Sequence, residues 1–172
     1  MEEQENAISF DLKSVAVKTL QLSIFVALAV AAPYFLNQLI TGSIVNALLF
    51  ISASVLGLES AFFLCLVPSL ISLYTGLLPL ALAPMIPFIM TGNALMVLIF
   101  SKFSKNNFWF GAIPAAFVKF IFIWCAGMVL ANSILHGIAK NVLLMISWPQ
   151  LATAIAGSAI ACLFLKMIHP VK

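Results

Sequence analysis

The chain has 172 residues, 64% of them hydrophobic and 8% charged, against roughly 25% charged in an average soluble domain. That balance excludes a water-soluble fold. Eight lysines, no arginine, four glutamates and one aspartate leave a net charge of +3, and most of these charges stand near the ends of apolar runs, so there is no basic surface on which a nucleic acid would bind.

The start, Met1-Glu2-Glu3-Gln4-Glu5, lacks the basic residues of a cleavable signal, and no small-residue cleavage site follows the first apolar stretch. The first span is therefore expected to stay as a membrane anchor. A helix crosses the hydrocarbon with about 20 mostly apolar residues, and the charges divide the chain on that scale. Residues 19–58 carry none. Asn37-Gln38 and Thr41-Gly42-Ser43 interrupt them, which predicts two helices joined by a short polar turn. Residues 60–101 are also uncharged and break at Gly76 and from Pro79 to Pro87, which predicts a third and a fourth helix. The turn Gly57-Leu58-Glu59-Ser60 is tight enough to make the second and third helices antiparallel neighbours.

Lys102 to Asn107 reads as a polar loop, followed by the interface aromatics Phe108-Trp109-Phe110 and a fifth helix ending near Asn132. Residues 133–146, with His136, Gly137, Lys140 and Asn141, suit an interfacial loop or short amphipathic helix. Ser147-Trp148-Pro149 supplies an N-cap, an interface aromatic and a proline at the first helical position, and the sixth helix ends near Lys166.

The expected fold is an all-α integral membrane protein, a six-transmembrane-helix bundle. It comprises a cytoplasmic segment over 1–14, a single membrane domain over 15–168 and a cytoplasmic tail over 169–172. Lys13, Lys18, Lys102, Lys105, Lys166 and Lys172 fall on one side of six spans and Lys140 alone on the other, which places both termini in the cytoplasm. No internal repeat is discernible, so the inverted-repeat plan of many secondary transporters is not indicated.

Lys119 is the most informative position. It lies about 16 Å into the fifth span at ~1.5 Å per residue, where an ionisable side chain marks a functional site unless it snorkels to the headgroups. Facing the bundle interior, it would favour a substrate with a carboxylate or another electron-rich group. Acids are absent from the spans, since Glu59 sits at a turn and the other four precede the first span. Coupling to protons or sodium would then have to use broken-helix carbonyls. Three prolines between Gly76 and Pro87 predict irregular backbone, tolerated at membrane depth where protein buries it or it lines a cavity. A segment capping a pocket and an ordinary proline-rich loop are the two readings, and Thr91-Gly92-Asn93 just below favours the first.

Asn46 and Asn93 are expected in the outer half or middle of the bundle, with Gln38, Tyr74, Trp124 and Trp148 near the same side, and together they offer hydrogen bonds and aromatic walls for a small ligand. Singly, each has a structural use: asparagines tie helices together, and Trp or Tyr marks the interface. Small residues recur at four-residue spacing at Ala27 and Ala31, at Ala152 and Ala156, and at Gly157 and Ala161, a pattern that lets another helix approach closely. Cys65, Cys125 and Cys162 lie in apolar runs without CxxC spacing, so neither a metal nor a disulfide framework is indicated. No hydrolase elbow, HExxH, carboxylate pair or P-loop occurs; an enzyme is not expected, nor a cofactor, and the chain has no nucleotide site with which to drive transport.

These features resemble the substrate-binding S components of energy-coupling factor (ECF) transporters, over nearly the whole chain. The likeness is closest in Gln38-Leu39-Ile40-Thr41-Gly42-Ser43-Ile44-Val45-Asn46-Ala47-Leu48-Leu49, in Gly76-Leu77-Leu78-Pro79 with Pro84-Met85-Ile86-Pro87-Phe88, and in Gly92-Asn93 followed by Val118-Lys119-Phe120. The resemblance implies a prokaryotic cell-membrane protein that captures a vitamin or other micronutrient at the outer face. It also implies a transmembrane coupling subunit, contacted through Ala27 and Ala31, two ATPase subunits that supply the energy, and toppling of the S component in the bilayer. The arginine-containing pockets of some family members are absent here, so the ligand does not carry over. A self-sufficient carrier or channel and a structural subunit of a membrane redox complex are the competing readings.

Overall fold

The computed structural model describes residues 2–35, 37–74, 80–133, 144 and 147–168. They form six α-helices: α1 Glu2–Phe35, α2 Gln38–Val55, α3 Leu58–Tyr74, α4 Ile86–Phe103, α5 Phe108–Ser133 and α6 Trp148–Ile168, with a 3-10 helix over Leu80–Met85 before α4. No strand occurs among the described residues. Five stretches are long and apolar enough to cross a membrane: Leu12–Tyr34, Gln38–Val55, Ala83–Phe103, Phe108–Ala131 and Trp148–Ile168, with Leu58–Ile71 as a shorter apolar helix. The chain is a multi-pass helical membrane protein.

The helix ends follow local chemistry. Asn37 caps α2 from extended backbone, its side-chain oxygen accepting the Ile40 N–H at 3.0 Å, which satisfies one of the donors a helix start leaves open. The polar break is thus narrower than the sequence pattern predicts, because Thr41, Gly42 and Ser43 sit inside α2. Backbone bonds from Leu56 N and Gly57 N to the Ser52 carbonyl, at 2.9 and 3.1 Å, close α2, and Gly57 at φ +96° turns the chain into α3. That left-handed geometry suits glycine. The Asn107 side chain accepts the Trp109 N–H at 2.9 Å at the start of α5.

Helix α1 begins at Glu2 and runs unbroken into the first span. The start of α6 differs from expectation. The Ser147 hydroxyl donates backward to the Leu144 carbonyl at 2.7 Å instead of capping α6, and Pro149 is the second residue of that helix. The proline-rich stretch resolves into the 3-10 turn Leu80–Met85, packed on α4 and α5, with Met85 and Ile86 buried. Gly76 and Pro79, the segment with His136, Gly137, Lys140 and Asn141, and the 169–172 tail lie outside the described residues.

Close approaches at glycines give the helix directions. A Cβ at Gly92 would meet the Ile123 side chain at 2.9 Å, and one at Gly111 would meet Phe100 O and Ser104 N at 2.8 Å, so α4 and α5 run antiparallel. A Cβ at Gly42 would meet Thr153 Cγ2 at 2.9 Å, and one at Gly157 would meet Asn46 Cβ at 2.6 Å. Helices α2 and α6 therefore run parallel, backbone against backbone, with Thr153, Ala154, Gly157, Ser158, Ala161 and Cys162 forming the buried face of α6. Ala152 and Ala156 face outward.

The bundle is closed at one end by aromatic rings. Phe50 of α2, Phe100 of α4 and Phe108 of α5 stack edge to face, with centroids 4.9 Å apart for Phe50–Phe100, 5.2 Å for Phe100–Phe108 and 6.1 Å for Phe50–Phe108. These are favourable aromatic geometries. Phe108 thus turns inward, while Trp109 and Phe110 remain exposed. Lys102 and Lys105 lie at this end, beside the α4–α5 turn.

Candidate functional site

At the other end of the bundle, a cavity of about 180 Å³ lies among all six helices. Each helix contributes by its own periodicity. Gln38, Gly42 and Asn46 recur every four residues on α2, Ala29 and Pro33 do so on α1, and Ile89 and Asn93 on α4, spacings that keep side chains on one helix face. Pro68 and Ser69 reach the cavity from the last turns of α3, and Pro149, Gln150 and Thr153 from the first turns of α6. Lys119 enters from the middle of α5.

Lys119 is 3% exposed, so its side chain stays within the bundle and does not snorkel. Its ammonium donates to Asn46 Oδ1 at 2.5 Å. Asn46, 1% exposed, donates in turn through Nδ2 to Thr153 Oγ1 at 3.3 Å, and the Thr153 hydroxyl donates to the Gln150 carbonyl at 3.1 Å. The direction of this relay follows from the lysine: an ammonium has three donors and no acceptor, so it must meet the amide oxygen, which leaves the amide nitrogen for threonine. Asn93 is 5% exposed, and its Oδ1 has no hydrogen-bond partner among the described residues. An orphaned buried oxygen of this kind costs about 1–3 kcal/mol.

The charge balance is one-sided. The acids of the chain are Glu2, Glu3, Glu5, Asp11 and Glu59, and Glu59 lies in the first turn of α3, at the end of the bundle away from the cavity. No residue of the cavity wall carries a negative charge. No group of three or more His, Cys, Asp or Glu that could hold a metal occurs among the described residues.

Of the residues that the sequence singles out, Gln38, Asn46, Asn93 and Lys119 meet at this cavity. Tyr74, Trp124 and Trp148 do not line it and are exposed. Trp124 follows Lys119 by five positions, which turns it about 140° around the helix. The described 3-10 turn, Leu80–Met85, contributes no wall to the cavity either. Thr153 and Gln150 escape the sequence reading, although Gln150, Thr153 and Gly157 form a polar and small stripe at i, i+3 and i+7 of an apolar helix. That spacing was the available signal. Ala27 and Ala31 face outward from α1, while Ala29 and Ala32 are buried. No known family, curated protein or solved structure matches the chain.

Proposed function

We propose that the chain is the solute-capturing membrane subunit of an importer, energised by partner subunits in the manner of the ECF S components that its sequence resembles. The observation that carries this reading is the Lys119–Asn46–Thr153 relay at the cavity opposite the aromatic end of the bundle. A buried cation is costly in a membrane unless it serves a ligand or pathway. The aromatic cluster at the opposite end argues against a pathway, because it leaves the cavity without continuation. A solute would enter and leave by one end, and its passage across the membrane would need movement of the whole subunit.

In this reading α3 is the sixth crossing. Its 17 residues make about 26 Å at ~1.5 Å per residue, close to the hydrocarbon thickness of about 30 Å. Lys13, Lys18, Lys102, Lys105 and Lys166 would then share one end, which the positive-inside rule assigns to the cytoplasm together with both termini. The cavity would face outward across a prokaryotic cell membrane, to take a vitamin or another micronutrient. A coupling membrane subunit docking near Ala27 and Ala31, with two ATPases, would complete the importer.

Affinity purification from native membranes followed by native mass spectrometry tests this. A retained small molecule, together with a membrane protein and an ATPase pair, is expected. Accumulation of solute in liposomes containing this chain alone would favour a self-sufficient carrier, and co-purifying flavin or iron–sulfur subunits would favour a redox complex; either result overturns the proposal.

A further inference from the structure

Three facts about the cavity bear on what it takes. Among the described residues its single cation, Lys119, is 3% exposed and makes one hydrogen bond, to the neutral Asn46 amide. Every acid of the chain either precedes residue 12 or is Glu59, so no carboxylate of the wall can pair with it. A second polar group on the wall, Asn93, is also buried and carries an oxygen without a partner among the described residues. An ion held away from water is stable only when paired and hydrogen-bonded, and here the pairing charge has to arrive from outside.

We infer that the cavity binds a small monocarboxylate whose one negative charge is the missing counter-ion of Lys119. This rests on the capture function proposed above. Charge arithmetic sets the selectivity. A monoanion makes the filled site neutral, whereas an amine doubles the positive charge and a zwitterion leaves a net charge of plus one. A dianion leaves an unpaired negative charge, since no second cation lines the cavity among the described residues. The chain has no arginine, so nothing offers the planar two-point grip typical of phosphate sites; the lysine acts as a point charge suited to one carboxylate oxygen.

Size narrows the class further. The cavity of about 180 Å³ is slightly larger than one of about 150 Å³ that holds benzene, so the fitting acids are compact ones, about the size of benzene bearing one carboxylate. Ala29, Pro33, Leu39, Val45, Pro68 and Ile89 give it an apolar wall for the body of such an acid. Asn93 is placed to meet a second polar atom of the ligand.

The test uses the full chain in detergent and reads thermal unfolding midpoints and dissociation constants with two matched series. One is benzoate, benzamide and benzylamine; the other is hexanoate, hexanamide and hexylamine. Phthalate serves as a dianion, norleucine as a zwitterion and dodecanoate as a lipid-derived acid. At least one of the two short acids is expected to bind on the order of tenfold or more tighter than its amide, and Lys119→Met should erase that difference. Asn46→Asp supplies an internal carboxylate to the same lysine, so it should raise the midpoint of the ligand-free protein and abolish the response to acid.

Equal or tighter binding of the amides or amines overturns the substrate class while leaving solute capture standing. Binding of dodecanoate, phthalate or norleucine in preference to the short acids overturns it likewise. Silence from every probe also overturns the class, and the molecule retained through native purification then judges capture separately. An acid preference that survives Lys119→Met would show that the charge is recognised elsewhere and would sink the inference.

Discussion

Lys119 sits where its own helix offers no partner. Its charge is held by one amide from α2, and no acid lines the cavity beside it, an arrangement that costs stability. Replacing it by methionine keeps the volume of the stem and removes the unpaired ion. The ligand-free Lys119→Met protein is expected to unfold no more easily than the parent, because losing the buried charge offsets the about 1–3 kcal/mol of leaving the Asn46 oxygen unpaired. Solute binding should fall by on the order of tenfold or more. Unfolding titrations in detergent, read beside binding, check this opposite movement; a protein that loses both would mark Lys119 as a structural strut. The depth of this lysine was legible in the sequence because one charge in a long apolar run stands out. Its direction was not, because pointing inward and snorkelling differ by side-chain rotation.

Among the helices, the parallel pair α2 and α6 does most to build the site. Gly157 lets the two backbones touch at the level of Asn46: an added methyl would lie 2.6 Å from Asn46 Cβ, 2.7 Å from Ser43 O and 2.9 Å from Ala47 N. Two of these neighbours are backbone atoms and cannot swing aside. Gly157→Ala is expected to cost about 1–3 kcal/mol through overpacking and to weaken solute binding by displacing Asn46 from Lys119. Gly57→Ala is the control at the α2–α3 turn. Nothing lies within 4 Å of its added Cβ, so only the left-handed backbone resists, at about 1–2 kcal/mol, and binding should be preserved. Equal binding loss in both variants would contradict the packing argument. The four-residue spacing of Gly157 and Ala161 announced a close helix contact, but Ala152 and Ala156, similarly spaced, face away. Spacing states that a smooth face exists, whereas the rotation of the helix decides which face is buried.

For the whole molecule, α1 stands apart: 11% of its span is buried, against 39% for α2 and for the span containing α4. It packs on α2 and α3 and presents Ala27 and Ala31 on its open side. Both positions are exposed, so a leucine there extends away from the bundle. Ala27→Leu and Ala31→Leu are therefore expected to leave thermal stability within about 0.5 kcal/mol and solute binding unchanged, while lowering recovery of the coupling subunit in pull-downs from native membranes. Undiminished recovery would remove this face of α1 from the proposed interface.

Composition and the spacing of charges by themselves determined that the chain lives in a membrane, that it is helical, and roughly where its helices begin and end. Hydrocarbon tolerates few unpaired polar groups, so a sequence must display its spans openly. They also showed that the spans carry no acids, since the acids can simply be counted. Tertiary structure alone decided that Gln38, Asn46, Asn93 and Lys119 share one cavity while Tyr74, Trp124 and Trp148 do not, and that Thr153 completes the relay. In an all-apolar helix every face is greasy, so hydrophobicity cannot say which one turns inward. That is settled by the close fit of glycine against backbone and by the few hydrogen bonds that tie one helix to the next.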